Sequence, residues 1–165
     1  MWTLDRTLTE VRFEVRHLFV GTIRGRFTEF DAEIVFDRER PDRSRVSATV
    51  QAASVDTGNA ARDIDIRSKQ LLDVEHFPLI RFVSSEVVGA NGDTISLRGA
   101  LTIRGRTREI VLVGRVHELG SVPHSEFSVL ASFAAELDRR DFSVEASPLI
   151  GTKIALTIDA VMIPI

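Results

Sequence analysis

Hydrophobic and polar positions alternate along most of the chain with a period of two, the pattern of strands that turn one face to an apolar interior and the other to water. Val11, Phe13 and Val15 alternate with Arg12, Glu14 and Arg16. The same beat runs through residues 30–36, 46–52, 80–82, 95–103, 110–116, 127–137 and 154–162, which predicts about eight strands. Turn residues separate them at Arg40-Pro41-Asp42, Ala90-Asn91-Gly92-Asp93 and residues 120–123, and Asn91-Gly92 is the clearest hairpin signal. Short connections make neighbouring strands antiparallel. One stretch breaks the beat: residues 58–76 read as a helical insertion capped by Thr57 or Asn59, lying over an end or an outer face of the sheet. Asp63 with Arg67 and Asp65 with Lys69 form acid-before-base pairs four apart, and Pro78 is expected to stop the helix.

Strand length decides the architecture. Alternation from Glu126 to Leu137 covers twelve residues, about 36 Å at roughly 3.3 Å per residue. Long antiparallel strands in this number form a sandwich or close into a barrel, and closure removes the edges that invite aggregation. An eight-stranded barrel is just wide enough to be filled by its own side chains or to hold one small ligand. The inward positions mix small residues (Ala32, Ala48, Ala52, Gly99, Gly114, Ala131, Ala135) with large ones (Phe13, Phe36, Phe82, Phe133). That mixture can leave a tube open, although an interlocked dry core uses the same residues.

The 165 residues suit one domain, and a formal charge of −3 with basic and acidic residues interleaved offers no concentrated basic face for nucleic acid. Absence of cysteine removes disulfides, thiolate nucleophiles and zinc fingers. Asp5 and Arg6 interrupt the start of the chain where a secretory leader would be apolar, so a cytoplasmic location is expected. No apolar run reaches the roughly 20 residues needed to span a bilayer.

Catalytic signatures are missing: there is no G-x-S-x-G elbow, Walker loop or G-x-G-x-x-G, and His117-Glu118 lacks the rest of H-E-x-x-H. His17, His76, His117 and His124 lie on separate segments without ligand spacing, so no metal site is expected. Thr22-Ile23-Arg24-Gly25-Arg26 recurs 80 positions later as Thr102-Ile103-Arg104-Gly105-Arg106. A shared turn or bulge accounts for the repeat better than a duplicated half-barrel. Asp138-Arg139-Arg140-Asp141-Phe142 reads as a solvated turn, or as a lock on the barrel end with Phe142 as its lid.

Taken in order, Trp2-x-x-Asp5, Val11-x-Phe13-x-Val15-x-His17, Arg24-Gly25-x-Phe27-x-x-Phe30, Ser54-Val55-Asp56-Thr57, Arg62-Asp63, Arg67-Ser68, Phe77-Pro78-x-Ile80-x-Phe82, Gly99-x-Leu101-Thr102-Ile103-Arg104-Gly105 and Asp138-Arg139-Arg140-Asp141-Phe142 resemble the YceI-like, or polyisoprenoid-binding-like, family. The resemblance implies an all-β fold, an extended eight-stranded antiparallel barrel of lipocalin-like form. It also implies a long apolar lumen for a polyisoprenoid, an isoprenoid quinone or another lipid chain, and frequent dimers. The chain departs from the family at Leu8-Thr9, Asp31-Ala32, Gln70-Leu71-Leu72-Asp73 and Ser143, where Gly is typical.

The leading expectation is therefore a soluble, homodimeric carrier that sequesters or transports one apolar chain, makes transient membrane contact at most, and has no cofactor beyond the bound lipid. Candidate lining residues are Phe13, Val15, Phe36, Val50, Phe82, Leu97, Leu101, Leu112, Val129 and Phe133, with His17, Arg24, Asp141 and Phe142 nearer an entrance. A slip of one residue turns a strand's whole set outward. Two alternatives stand beside it: an enzyme acting on such a lipid with a histidine as general base, and a plugged barrel serving as a protein-interaction module.

Overall fold

Where the alternation is unbroken, the chain runs as strand. The computed structural model describes residues 1–165 and places eleven strands in one antiparallel sheet: β1 (Trp2–Leu4), β2 (Glu10–His17), β3 (Gly21–Phe27), β4 (Phe30–Val35), β5 (Arg45–Gln51), β6 (Val55–Asp56), β7 (Leu79–Asn91), β8 (Thr94–Ile103), β9 (Arg106–Glu118), β10 (Val129–Asp138) and β11 (Ile150–Pro164). Six of them are halves of longer staves. β1 and β2 are consecutive on one stave, β3 and β4 on the next, β5 and β6 on the third, as the pairings β2–β3, β1–β4, β4–β5 and β3–β6 require. Each stave then pairs with its neighbour in the chain through to β10–β11. β11 closes the ring by pairing with both β2 and β1. The result is an eight-stave up-and-down barrel with no free edge along its length.

The break between β1 and β2 is built by Asp5. Its Oδ1 accepts from the Thr7 N–H (3.0 Å), the Thr7 hydroxyl (2.6 Å) and the Leu8 N–H (3.3 Å), turning the chain out of the wall. Thr9 restores the ladder by accepting the Val161 N–H on its hydroxyl (3.0 Å). Opposite this excursion the second stave has no ladder partner on the first between Phe27 and Ile34, although Phe30 and Asp31 still pair with Val50 and Thr49 of β5, and an Arg6–Asp31 ion pair (2.8 Å) spans the opening.

One end of the barrel is closed. Trp2 packs against Phe36 and Phe127 in tilted pairs, with ring centroids 6.1 and 5.9 Å away, and donates its indole N–H to the Phe36 carbonyl. Beneath these rings Ile34, Val129, Ala131 and Met162 form a buried cluster. At the other end, helix α1 (Ala60–Arg67) and its trailing turns lie across the rim.

Several expectations are corrected. The helical segment is eight residues long, not nineteen. Asn59 caps it by accepting the Arg62 N–H, and Ser68 ends it with its hydroxyl on the Asp65 carbonyl, ten residues before Pro78. Neither expected ion pair forms: Asp63 turns back to the Thr57 N–H and hydroxyl and Arg67 donates to the Ala53 carbonyl, while Lys69 lies past the end of the helix that would have set it against Asp65. The repeated pentapeptide is neither a shared turn nor a bulge. Its first copy is the body of strand β3, while its second contains the two-residue turn between β8 and β9, with positive φ at Arg104 (50°) and Gly105 (69°). The hairpin signalled at Asn91-Gly92 does form, with Asn91 closing the β7–β8 pairing and Gly92-Asp93 as its two-residue turn. β7 runs thirteen residues instead of three, carrying two register shifts that scramble its alternation.

Candidate functional site

Inside the wall lies a cavity of about 1080 Å³, bordered by 48 residues of which 36 are hydrophobic, so its chemistry is that of an oil phase. It reaches from Leu4, Ile34 and Met162, on the lumen side of the aromatic closure, to the helix end, where Ala61, Ile66, Leu71 and Leu72 border it. Three large rings along the wall lie close over glycines. Phe13 faces Gly25 across β2–β3, and Phe133 faces Gly114 across β9–β10. Phe82 lies over Gly99 on β8. A Cβ built at Gly25 would sit 2.4 Å from Phe13, at Gly114 2.6 Å from Phe133 and 2.1 Å from the Ser132 carbonyl, and at Gly99 2.6 Å from Phe82 and 2.5 Å from the Val83 carbonyl. Glycine inside a strand thus marks a close approach, and here the approach is a ring that would otherwise cross the lumen.

Polar groups gather at the open end. His17 borders the cavity, and its Nδ1 accepts the Phe19 and Val20 N–H groups (3.2 and 3.3 Å), which puts its proton on Nε2. Arg139 is 9% exposed and borders the cavity too. Its guanidinium donates to the carbonyls of Gly151, Val144 and Ile150 at 3.0–3.1 Å, with no carboxylate in ion-pair range. Arg62 donates to the Thr57 hydroxyl and carbonyl. Asn59, Asp65, Gln70, Glu145 and Ser147 complete the rim. No three His, Asp or Glu side chains gather to hold a metal ion, and no helix is long and apolar enough to cross a membrane.

The candidate residues divide clearly. Phe13, Val15, His17, Val50, Phe82, Leu97, Leu101, Leu112, Phe133 and Phe142 all border the cavity. Four do not. Arg24 points outward and pairs with Glu14 (2.9 Å), because Ile23 and Gly25 take the inward positions of β3. Phe36 lies past the end of β4 and belongs to the aromatic closure. Val129 faces inward but lies within the closed end, almost wholly buried. Asp141 is exposed on the outside beside Arg108 and Glu109. Phe142 is part of the wall's core, packed with Leu137 and Leu112, and not a lid. Cavity-lining residues absent from the candidates include Val20, Ile23, Arg62, Ile66, Leu71, Leu72 and Arg139. β3 was hidden by the reading of residues 22–26 as a turn, and the helix end is set by tertiary contacts. Ile154, Leu156 and Ile158 were visible in the alternation of β11 and do border the cavity.

The family model of the YceI-like domain matches residues 2–162. The chain belongs to the YceI-like family. Among curated relatives of this YceI-like protein, a UPF0312 protein of Pseudomonas aeruginosa (strain LESB58) is 33% identical over 135 residues, covering 82% of this chain and 70% of that protein. A UPF0312 protein of Azotobacter vinelandii is 31% identical over the same length, with the same shares of the two chains. Among solved structures, Burkholderia cenocepacia BcnA superposes with a TM-score of 0.87 at 21% identity, covering 96% of this chain and 98% of that one. A polyisoprenoid binding domain from Saccharophagus degradans, implicated in plant cell wall breakdown, superposes with a TM-score of 0.75 at 15% identity, covering 98% and 97%. At these identities the structural matches establish the shared barrel. The YceI-like family expected from the motifs is thus the family found, and so is the closed eight-stranded barrel.

Proposed function

We propose that this YceI-like protein binds one long apolar chain, a polyisoprenoid, isoprenoid quinone or fatty-acyl lipid, inside the barrel and carries it through water. The observation that carries the reading is the open, apolar cavity of about 1080 Å³. Each Å² of apolar chain shielded there contributes roughly 25 cal/mol, and the polyisoprenoid binding domain from S. degradans that shares this barrel supports the ligand class. The lumen interior asks for no particular polar contact, so chain length and bulk select the ligand, while His17 Nε2–H, Arg139 and Asn59 at the rim orient its head group.

The reading is of binding without turnover. The His17 Nδ1 is committed to backbone N–H groups, so no carboxylate orients that ring as a general base would need. Organic extraction of freshly purified protein, followed by mass spectrometry, tests the proposal. A lipid at about one per chain, or uptake of one prenyl chain by emptied protein, is the expected result. A clean extract together with no uptake of prenyl, quinone or acyl chains overturns it.

A further inference from the structure

The large apolar side chains that the fold leaves in water are unevenly placed. Leu18, Phe19 and Val20, 73%, 78% and 65% exposed, form the tip of the β2–β3 hairpin. Ile64 stands out of α1 at 63%, and Leu149 is exposed in the loop before β11. That loop abuts the tip, because the Leu149 carbonyl accepts the Leu18 N–H (2.9 Å). All five belong to the open end, and Val20 and Ala61 carry the same surface into the cavity. Elsewhere Met1 and Ile165, 79% and 80% exposed, meet at the paired chain ends, Leu8, Val88 and Leu119 are scattered, and Val83, Val111 and Val113 share the outer wall with the Arg98–Glu86 and Arg98–Glu109 ion pairs, an ordinary condition for a protein surface.

We propose that the open end docks on a lipid bilayer with the Leu18-Phe19-Val20 tip inserted, which sets the cavity mouth against the acyl region. The purpose of such docking rests on the carrier reading, since a chain with negligible solubility in water must be collected from a membrane. Two further observations favour a bilayer as the occupant. The first is that the tip is prepared for a medium without water. Its three backbone N–H groups are already satisfied, Leu18 by the Leu149 carbonyl and Phe19 and Val20 by His17 Nδ1, so entry into the interface leaves no donor stranded. The second is the charge of this end. Residues 18–20, 57–78, 104–105 and 139–149 carry six Arg or Lys and six Asp or Glu, and the tip carries none. Docking is therefore apolar, unlike the polybasic attachment that depends on anionic lipid and salt.

Flotation of the full chain with phosphatidylcholine vesicles tests this, using wild type and L18S/F19S. Neither side chain borders the cavity and both stand in solvent, so the variant keeps the fold and its lumen. Wild type is expected to float with neutral vesicles at low and high salt alike. The variant's partitioning falls about tenfold or more. Its extraction of a prenyl chain from vesicles slows by a similar factor, while its uptake of the same chain from an ethanol dispersion matches wild type. The proposal is overturned if wild type stays unbound on neutral and anionic vesicles, which points to a protein partner for the tip. It is equally overturned if the variant floats as well as wild type, or if binding needs anionic lipid and disappears with salt. Failure of both proteins to take up the chain from ethanol removes the carrier reading, and flotation still decides the docking.

Discussion

Ser143 occupies the left-handed region, with φ 55° and ψ 28°, just after the turn Arg139–Phe142. A side chain there crowds the following carbonyl, at a cost of roughly 1 kcal/mol that glycine escapes. The Ser143 carbonyl accepts from Arg104 and its N–H reaches the Arg140 carbonyl (3.2 Å), both backbone contacts that a glycine keeps. Ser143→Gly is expected to stabilise the fold by about 0.5–1 kcal/mol, raising the thermal midpoint by roughly 1–4 °C. A midpoint unchanged or lowered in calorimetry contradicts this. The position was legible as a departure from the family's glycine, though only the backbone dihedral gives the reason.

Carboxylates set the acid response. The Arg140 guanidinium, helped by the Arg140 N–H, holds the Asp138 carboxyl far below the usual range. The Thr7 hydroxyl, with the Thr7 and Leu8 N–H groups, lowers Asp5 despite its burial. A group whose folded pKa is depressed contributes stability that is full above its unfolded pKa of about 4 and fades as pH falls below it. Denaturant midpoints are therefore expected to hold near neutrality and drop below about pH 4. In D5N/D138N that drop is shallower, and identical slopes in variant and wild type would refute the assignment.

At the scale of elements, alternation was a faithful guide wherever parity ran unbroken, as on β2, β8, β9 and β11. It failed on β7, where two register shifts reset which face looks inward. It failed also on β3, whose Gly25 suggested a turn. That glycine is there for Phe13: an added Cβ meets the ring at 2.4 Å and Thr57 Cγ2 at 3.0 Å. Gly25→Ala must lift the Phe13 ring into the lumen, at an overpacking cost of about 1–3 kcal/mol. The expected result is a folded barrel whose uptake of a long chain, read by native mass spectrometry, falls about tenfold, on the estimate of about 1.4 kcal/mol per decade. Gly89 is the control, since a Cβ there meets nothing within 4 Å and its φ is not positive. If G89A and G25A take up the chain equally, the ring-on-glycine account of the open lumen fails.

Over the whole molecule, strand number and length left a sandwich or a closed barrel, and only the family resemblance implied the barrel and its lumen; the residues alone do not give its emptiness. The same inward list of alanines, glycines and phenylalanines fits an interlocked core, and only the position of each ring against the wall separates the two. The Trp2, Phe36 and Phe127 closure was hidden likewise, because it joins three segments distant in sequence at one end. An unfilled apolar cavity has a thermodynamic consequence for the entire fold. A ligand that binds only the folded barrel stabilises it by RT ln(1 + [L]/Kd), about 2.7 kcal/mol at one hundred times Kd, which for a chain of this size is a rise of roughly 5–10 °C in thermal midpoint. Extracted protein should therefore melt lower than protein reloaded with a long prenyl chain. The gain should shrink as the chain is shortened, because less of the lumen wall loses contact with water, and it should largely vanish in G25A. A midpoint indifferent to chain length would place the bound molecule outside the lumen, on the surface or at the rim, where length has no wall to cover.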